Sequence, residues 1–153
     1  MQIAVGSDEP YDTDLVLVRE LQLRGHTVIP FGALRTGTEQ PWVEVAREAA
    51  SSVPERADEA ILLCWSGTGV TMAANKLPGI RAALCSDAQT ATAARVWNHA
   101  NVLCLAHRTL SIDLLKELLD AWFAPYDRVV GSTGAAQLDA LDRDTRKRDT
   151  RTC

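Results

Sequence analysis

The sequence predicts an α/β domain, five parallel strands in one sheet with helices on both faces. Three observations predict it. Short apolar runs alternate five times with longer segments of helical spacing, the pattern left by strand–helix–strand units. The breaks between runs fall at Gly and Pro, at Gly6, Gly25, Gly32 and Pro78-Gly79. The chain has 153 residues, 46% of them apolar, which suits one core of ordinary size.

Taken in order, Gln2 to Val5 reads as the first strand, stopped by Gly6-Ser7-Asp8-Glu9-Pro10. Asp12 or Thr13 caps a helix whose apolar side is read as Leu15, Val18, Leu21 and Leu23, ending at Gly25. Thr27 to Phe31 is the second strand, and Leu34 to Pro41 a polar loop. Trp42, Val45, Ala46, Ala49 and Val53 stand at helical spacing, which predicts a helix over 42–53. Ala60 to Cys64 is the third strand and Val70 to Lys76 a short helix, broken by Leu77-Pro78-Gly79. Ile80 to Cys85 is the fourth strand, Asp87 to Asn98 an Ala-rich helix, and Val102 to Leu105 the fifth strand. Ser111 caps a last helix, Ile112 to Phe123. These elements make one domain over 1–125. Residues 126–153 form an extension, rich in charge from Leu138 onward with Arg143, Arg146, Lys147, Arg148 and Arg151. It is expected as a helix packed on a neighbouring subunit or as partly disordered chain.

Composition narrows the function classes. The formal net charge of -4 leaves no basic excess for phosphate backbones, so nucleic acid is not expected as a partner. No apolar run approaches the ~20 residues of a membrane span, and MQIAVGSDE does not read as a signal peptide. Cys64, Cys85, Cys104 and Cys153 form no CxxC pair, so neither a metal site nor a disulfide framework is expected. Reduced thiols and a cytoplasmic location are the simpler reading.

The stretch that carries chemistry is ILLCWSGTGVTMAANK, Ile61 to Lys76. It reads as strand, tight Gly-punctuated loop, helix. Amides at such a joint point outward together and can hold an oxygen that turns negative during reaction. Right-handed crossovers carry every strand's C-terminal end to one edge. That edge is expected to collect Ser7-Asp8-Glu9, the loop after Gly32, the Cys64 loop, Ser86-Asp87 and His107-Arg108, with Asn98-His99-Ala100-Asn101 near it. Cys64 is then a candidate base or nucleophile, although a small buried core residue is an equal reading. Ser66 and Thr68 offer hydroxyls, and Gly67 and Gly69 permit close backbone approach. The Gly pattern lacks the third glycine of a dinucleotide fingerprint and the lysine of a P-loop. Asp8 and Glu9 are ligand candidates beside the bland reading of a helix-start carboxylate pair. Arg108 is a candidate anion clamp. His99, flanked by amides, is weighed against a structural histidine.

These motifs together resemble the B-type ribose-5-phosphate isomerases and the galactose-6-phosphate isomerase subunits. The resemblance runs from Gln2 to about Phe123 and is strongest over Ala73 to Cys85, AANKLPGIRAALC, and Ala100 to Leu105, ANVLCL. It implies a three-layer Rossmann-like (flavodoxin-like) domain. It also implies an aldose–ketose isomerase that works through a cis-enediolate, without metal or cofactor. Cys64 falls on the family's proton-transferring cysteine, Ser66 on its assisting hydroxyl, and Gly67 to Gly69 on the loop that stabilises the enediolate oxygen. Asp8 and Asn98 fall on sugar-contacting positions and Arg108 on an arginine of the phosphate site. Family members are dimers or tetramers whose sites the neighbouring subunit completes, so a homodimer or homotetramer is expected.

The departures from the family fall in the recognition half of the site. Glu9 stands where the family has a histidine, and Trp97 where it has the histidine that opens a furanose ring. His99 is the nearest substitute, but two positions along a helix turn a side chain by about 200°. Trp65 replaces a glycine, and the Asp-Tyr-Pro loop reads Glu39-Gln40-Pro41. The arginine cluster after the last helix is not recognisable, with Arg128, Arg143 and Arg146 as candidates to replace it. The expectation is a sugar or sugar-phosphate isomerase with an altered, more apolar pocket wall that includes Trp97. The competing reading is a non-catalytic sugar-binding protein that kept the fold.

Overall fold

The computed structural model describes residues 1–149, and Arg151 and Cys153 lie outside the described residues, as do the side chains of Arg146, Lys147 and Arg148. Five strands form one sheet: β1 (Gln2–Ser7), β2 (Thr27–Gly32), β3 (Glu59–Cys64), β4 (Ala82–Leu84) and β5 (Val102–Ala106). All pairings are parallel, in the order β2-β1-β3-β5-β4. The last two strands are exchanged relative to the flavodoxin order 2-1-3-4-5. The chain hops over one strand position to lay β4 at the edge, then returns to fill the gap with β5.

The direction of each hop decides which face its helix covers, because crossovers are right-handed. Leftward hops carry α1 (Asp12–Leu23) and α5 (Ala88–Asn98) to one face, where α6 (Ile112–Phe123) joins them. Rightward hops carry α3 (Trp42–Ser51) and α4 (Thr68–Ala74) to the other face. Strand alternation then sorts the core. On β3, Ile61 and Leu63 pack toward α1, α5 and α6, whereas Ala60, Leu62 and Cys64 pack toward α3 and α4. Each fully buried aliphatic side chain in these layers contributes about 1.5–3 kcal/mol.

Several sequence expectations change, among them the cap of the first helix, which is Tyr11 and not Asp12 or Thr13, and the fourth strand, which is Ala82–Leu84 and not Ile80 to Cys85. The buried side of α1 is Asp14, Leu17 and Leu21, and Leu15 and Leu23 are 74% and 70% exposed. Leu17 and Leu21 are one turn apart and share a face, which Leu21 and Leu23 cannot do. The loop 34–41 also holds one helical turn, α2 (Ala33–Thr36), closed by Gly37 at φ 73°.

A buried polar cluster pins the N-terminal edge of β3. Glu59 pairs with Arg95 and accepts a hydrogen bond from Trp122 Nε1 at 2.7 Å. The Arg95 guanidinium lies over the rings of Trp122 and Tyr126, 4.8 and 5.2 Å from their centroids. The extension continues as α7 (Ser132–Asp149) and packs on its own chain against α5. Arg81 pairs with Asp139 at 3.2 Å, and Asp142 accepts from the Gly79 amide at 2.8 Å. Gly131 makes the turn into this helix at φ 75°, and a Cβ there would lie 2.4 Å from the Val96 carbonyl oxygen. Among the described residues no helix is long and apolar enough to cross a membrane.

Candidate active site

The connection from β3 leaves toward the α3–α4 face, while those from its neighbours β1 and β5 leave toward the other face. Neighbouring loops that part in this way open a crevice at the C-terminal edge of the sheet. Cys64 stands at its base. It is 5% exposed, yet it borders a cleft of about 350 Å³ with Asp8, Trp42, Trp65, Ser66, Thr68, Gly69 and Met72.

The loop after Cys64 is shaped by its neighbours. Gly67 has φ 72°, and a Cβ there would sit 2.5 Å from Leu84 Cδ1 and 3.0 Å from the Leu105 carbonyl oxygen. Only glycine fits both the conformation and the space. It lets the chain turn from β3 into α4, which starts at Thr68 and not at Val70. Ser66 Oγ and Thr68 Oγ1 lie 2.7 Å apart and share a hydrogen bond at the cleft. A Cβ on Gly69 would press on the Trp42 ring at 3.0 Å, so the indole packs flush against the loop.

The loop after β1 supplies Asp8. Its Oδ1 accepts from the Tyr11 hydroxyl at 3.1 Å and from the Glu9 amide at 3.0 Å. Burial pushes the Asp8 carboxyl up, against the pull of those two bonds. Burial and the Asp8 charge push the Tyr11 phenol well up, so it stays a hydrogen-bond donor. Asp14, buried behind this loop, is pushed up to about 6 by burial, and its Oδ1 has no partner. Glu9 is exposed beside the cleft.

The loop after β5 closes the third side. The Arg108 amide donates to the Trp65 carbonyl oxygen at 3.1 Å, and the Arg108 side chain is exposed. The His107 ring stacks on Tyr11 with centroids 3.8 Å apart, and its Nδ1 lies 3.0 Å from Thr13 Oγ1. The other two thiols among the described residues are sealed. Burial pushes Cys85 up to about 11 and Cys104 up to about 12. Among the described residues no group of three or more His, Cys, Asp or Glu side chains is placed to hold a metal ion.

Asp8, Glu9, Cys64, Ser66, Gly67, Thr68, Gly69 and Arg108 thus share the C-terminal edge. The expectation that Asn98 and His99 lie near that edge is wrong for a single chain. Helix α5 runs antiparallel to the strands, so Trp97, Asn98 and His99 finish at the opposite edge. His99 serves there as the left-handed cap of α5 at φ 49°. Its Nε2 bonds the Val130 carbonyl group at 2.9 Å, and its own carbonyl oxygen accepts from Arg81 Nε. Within its own chain it is a structural cap, at the far edge from this cleft. Asn98 borders a groove of about 450 Å³ with Arg81, Leu138 and Leu141, and Trp97 is 60% exposed.

Sequence reasoning left Tyr11 unmarked, named Thr13 only as a candidate helix cap and Trp42 only as a position at helical spacing, and named His107 only as a neighbour of Arg108. Tyr11 and His107 are 96 positions apart, and no local pattern links them.

Comparison with known proteins agrees with this fold. A family model described as Ribose/Galactose Isomerase matches residues 3–140. The chain is similar to a D-erythrulose-4-phosphate isomerase of Pectobacterium atrosepticum, 36% identical over 124 residues, covering 80% of this chain and 82% of that one. It is 34% identical over 126 residues to galactose-6-phosphate isomerase subunit LacB of Clostridium acetobutylicum, covering 80% of this chain and 71% of that one. Among solved structures it is similar to ribose-5-phosphate isomerase B of Clostridium thermocellum. The TM-score there is 0.87 at 30% identity, covering 95% of this chain and 99% of that one.

Proposed function

Because the chain belongs to the ribose/galactose isomerase family, we propose that it is an aldose–ketose isomerase acting on a short sugar phosphate through a cis-enediolate. The observation that carries the reading is one thiol, one hydroxyl pair and one glycine-turned loop on a single cleft. The Cys64 thiolate removes the proton from the carbon next to the carbonyl and returns it to the neighbouring carbon. The Ser66–Thr68 hydroxyls and the amides of 67–69 hold the oxygen that gains charge. These steps require no metal and no other cofactor. Asp8 takes a sugar hydroxyl, Glu9 flanks it, and Arg108 takes the phosphate.

The substrate is a four-carbon ketose phosphate. An aldotetrose phosphorylated on O4 has no free hydroxyl that closes a five-membered ring, so its aldehyde needs no ring-opening acid. Trp97 in place of the family's ring-opening histidine fits that substrate. So do Trp42, Trp65 and Met72, which line the cleft with apolar bulk, and so does the name of the Pectobacterium relative. The Trp97–Asn98 end of α5 lies a full strand from Cys64, and the six residues of β3 span roughly 20 Å. A second copy of the chain supplies that end to the cleft, in a homodimer or larger homo-oligomer. Free thiols at Cys64, Cys85 and Cys104 suit a cytoplasmic enzyme.

The test is uptake of solvent deuterium by D-erythrulose 4-phosphate, D-ribulose 5-phosphate and D-tagatose 6-phosphate. The tetrulose phosphate is expected to have the highest kcat/KM, and Cys64→Ala to abolish exchange. Full exchange by Cys64→Ala refutes the base. Equal turnover of all three refutes the size restriction, and binding without exchange points to a non-catalytic binding protein.

A further inference from the structure

Three loops that leave neighbouring strands are tied together by one row of side chains on the rim of the cleft. Thr13 Oγ1 lies 3.0 Å from His107 Nδ1. The His107 ring lies almost flat on Tyr11, 16° from parallel. The Tyr11 hydroxyl donates to Asp8 Oδ1 at 3.1 Å. Tyr11 and Thr13 come from the loop and first turn after β1, and His107 from the turn after β5. The Trp65 ring, from the loop after β3, stands 6.2 Å from His107.

The row ends on a carboxylate with one oxygen still to spend. Asp8 Oδ1 accepts two hydrogen bonds, from Tyr11 and from the Glu9 amide, whereas Oδ2 has none among the described residues. Asp8 is only 9% exposed, and its open side borders the cleft that holds Cys64. A carboxylate fixed at one oxygen by two donors presents the other in a set direction. Its chemistry suits a hydroxyl donor and repels a phosphate.

We infer that Tyr11, held flat by His107, is the positioning residue that aims Asp8 Oδ2 at a substrate hydroxyl and so orients the sugar over Cys64. The inference rests on the isomerase reading for the identity of the ligand and on this chain's own contacts for the aim. Tyr11 touches no reacting atom; it acts through Asp8. His107 acts one step further back, as the plate on which the phenol ring rests, and Thr13 sets the plane of that plate.

Two measurements test it. The first needs no substrate: 13C NMR of the aspartate carboxyl carbons in wild type and Tyr11→Phe. The phenylalanine keeps the stack on His107 and removes only the hydroxyl, so the fold is preserved. The Asp8 carboxyl is expected to titrate at higher pH in the variant, because a donor to its charged form is gone. The second is steady-state kinetics on D-erythrulose 4-phosphate. Tyr11→Phe is expected to raise KM about tenfold with kcat within about twofold, the loss of one hydrogen bond to a charged group. His107→Ala is expected to raise KM similarly, and His107→Phe, which restores a flat ring, to recover most of it. An unmoved Asp8 in Tyr11→Phe overturns the inference. So does a KM within about twofold of wild type on a substrate that the wild type turns over. If the wild type turns over no sugar phosphate while Asp8 still moves, the isomerase reading fails and the Tyr11–Asp8 coupling stands.

Discussion

Replacing Gly67 by alanine separates two costs at the turn beneath the cleft. The residue has φ 72°, and a new methyl group would meet Leu84 Cδ1 at 2.5 Å and the backbone of Leu105 at 3.0 Å. A left-handed alanine costs about 1–2 kcal/mol. Forcing a methyl against the β5 backbone, which cannot rotate away, adds about 1–3 kcal/mol. Gly25 is the internal control: it has φ 79° and nothing within 4 Å of a new Cβ, so Gly25→Ala carries the first cost alone. For a chain of this length each kcal/mol moves Tm by about 2–4 °C, giving a drop of about 10 °C for Gly67→Ala and about 4 °C for Gly25→Ala. The clash also lifts the loop bearing Ser66 and Thr68. A displacement of about 1 Å is expected to lower kcat/KM by about 100-fold, while Gly25→Ala stays at wild type. Differential scanning calorimetry and solvent deuterium uptake measure the two effects. A Gly67→Ala protein that melts with Gly25→Ala and retains turnover would show that the packing of this turn has been misread.

Three further outcomes follow from burial and charge. Asp14 is raised from 3.8 to about 6, so the folded state keeps a proton that the unfolded chain has released, and stability falls as pH rises between about 4 and 6. That rise corresponds to at most about 3 kcal/mol, so Asp14→Asn is expected to be more stable than wild type at pH 8 and to lose that advantage at pH 4, as read by urea unfolding. Glu59→Ala strands the buried Arg95 charge and the Trp122 N–H, and is expected to cost about 3–5 kcal/mol in the same assay, with the C-terminal edge intact. Iodoacetamide is expected to label Cys64 before Cys85 and Cys104, whose thiols are pushed up to about 11 and about 12, and peptide mass mapping reads the order.

The parts of this molecule legible in its sequence are those set by local rules. Ser111 and the run 112–123 give a capped helix because cap and periodicity lie within one segment, and Leu114's amide indeed bonds Ser111 Oγ at 3.1 Å. The Ile61 to Lys76 joint is equally local. Strand order is not: nothing in Val102 to Leu105 says that it inserts between β3 and β4. The direction of α5 explains the misplaced Asn98 and His99, since a helix between parallel strands must return to the far edge before the next strand begins. Apolar residues alone point to the Leu15–Val18–Leu21–Leu23 side of α1, while the fold buries Asp14 beside Leu17 and Leu21. Tyr11 and His107 meet only because β1 and β5 both flank β3.

The distribution of indoles gives the molecule a built-in optical probe. Trp122 is sealed in the core at 0% exposure, whereas Trp42 and Trp65, 43% and 59% exposed, line the same cleft as the thiol. A molecule entering that cleft strips water from two fluorophores and leaves the third untouched. Emission on the long-wavelength side, quenched by acrylamide in the empty protein, therefore reports occupancy without labels.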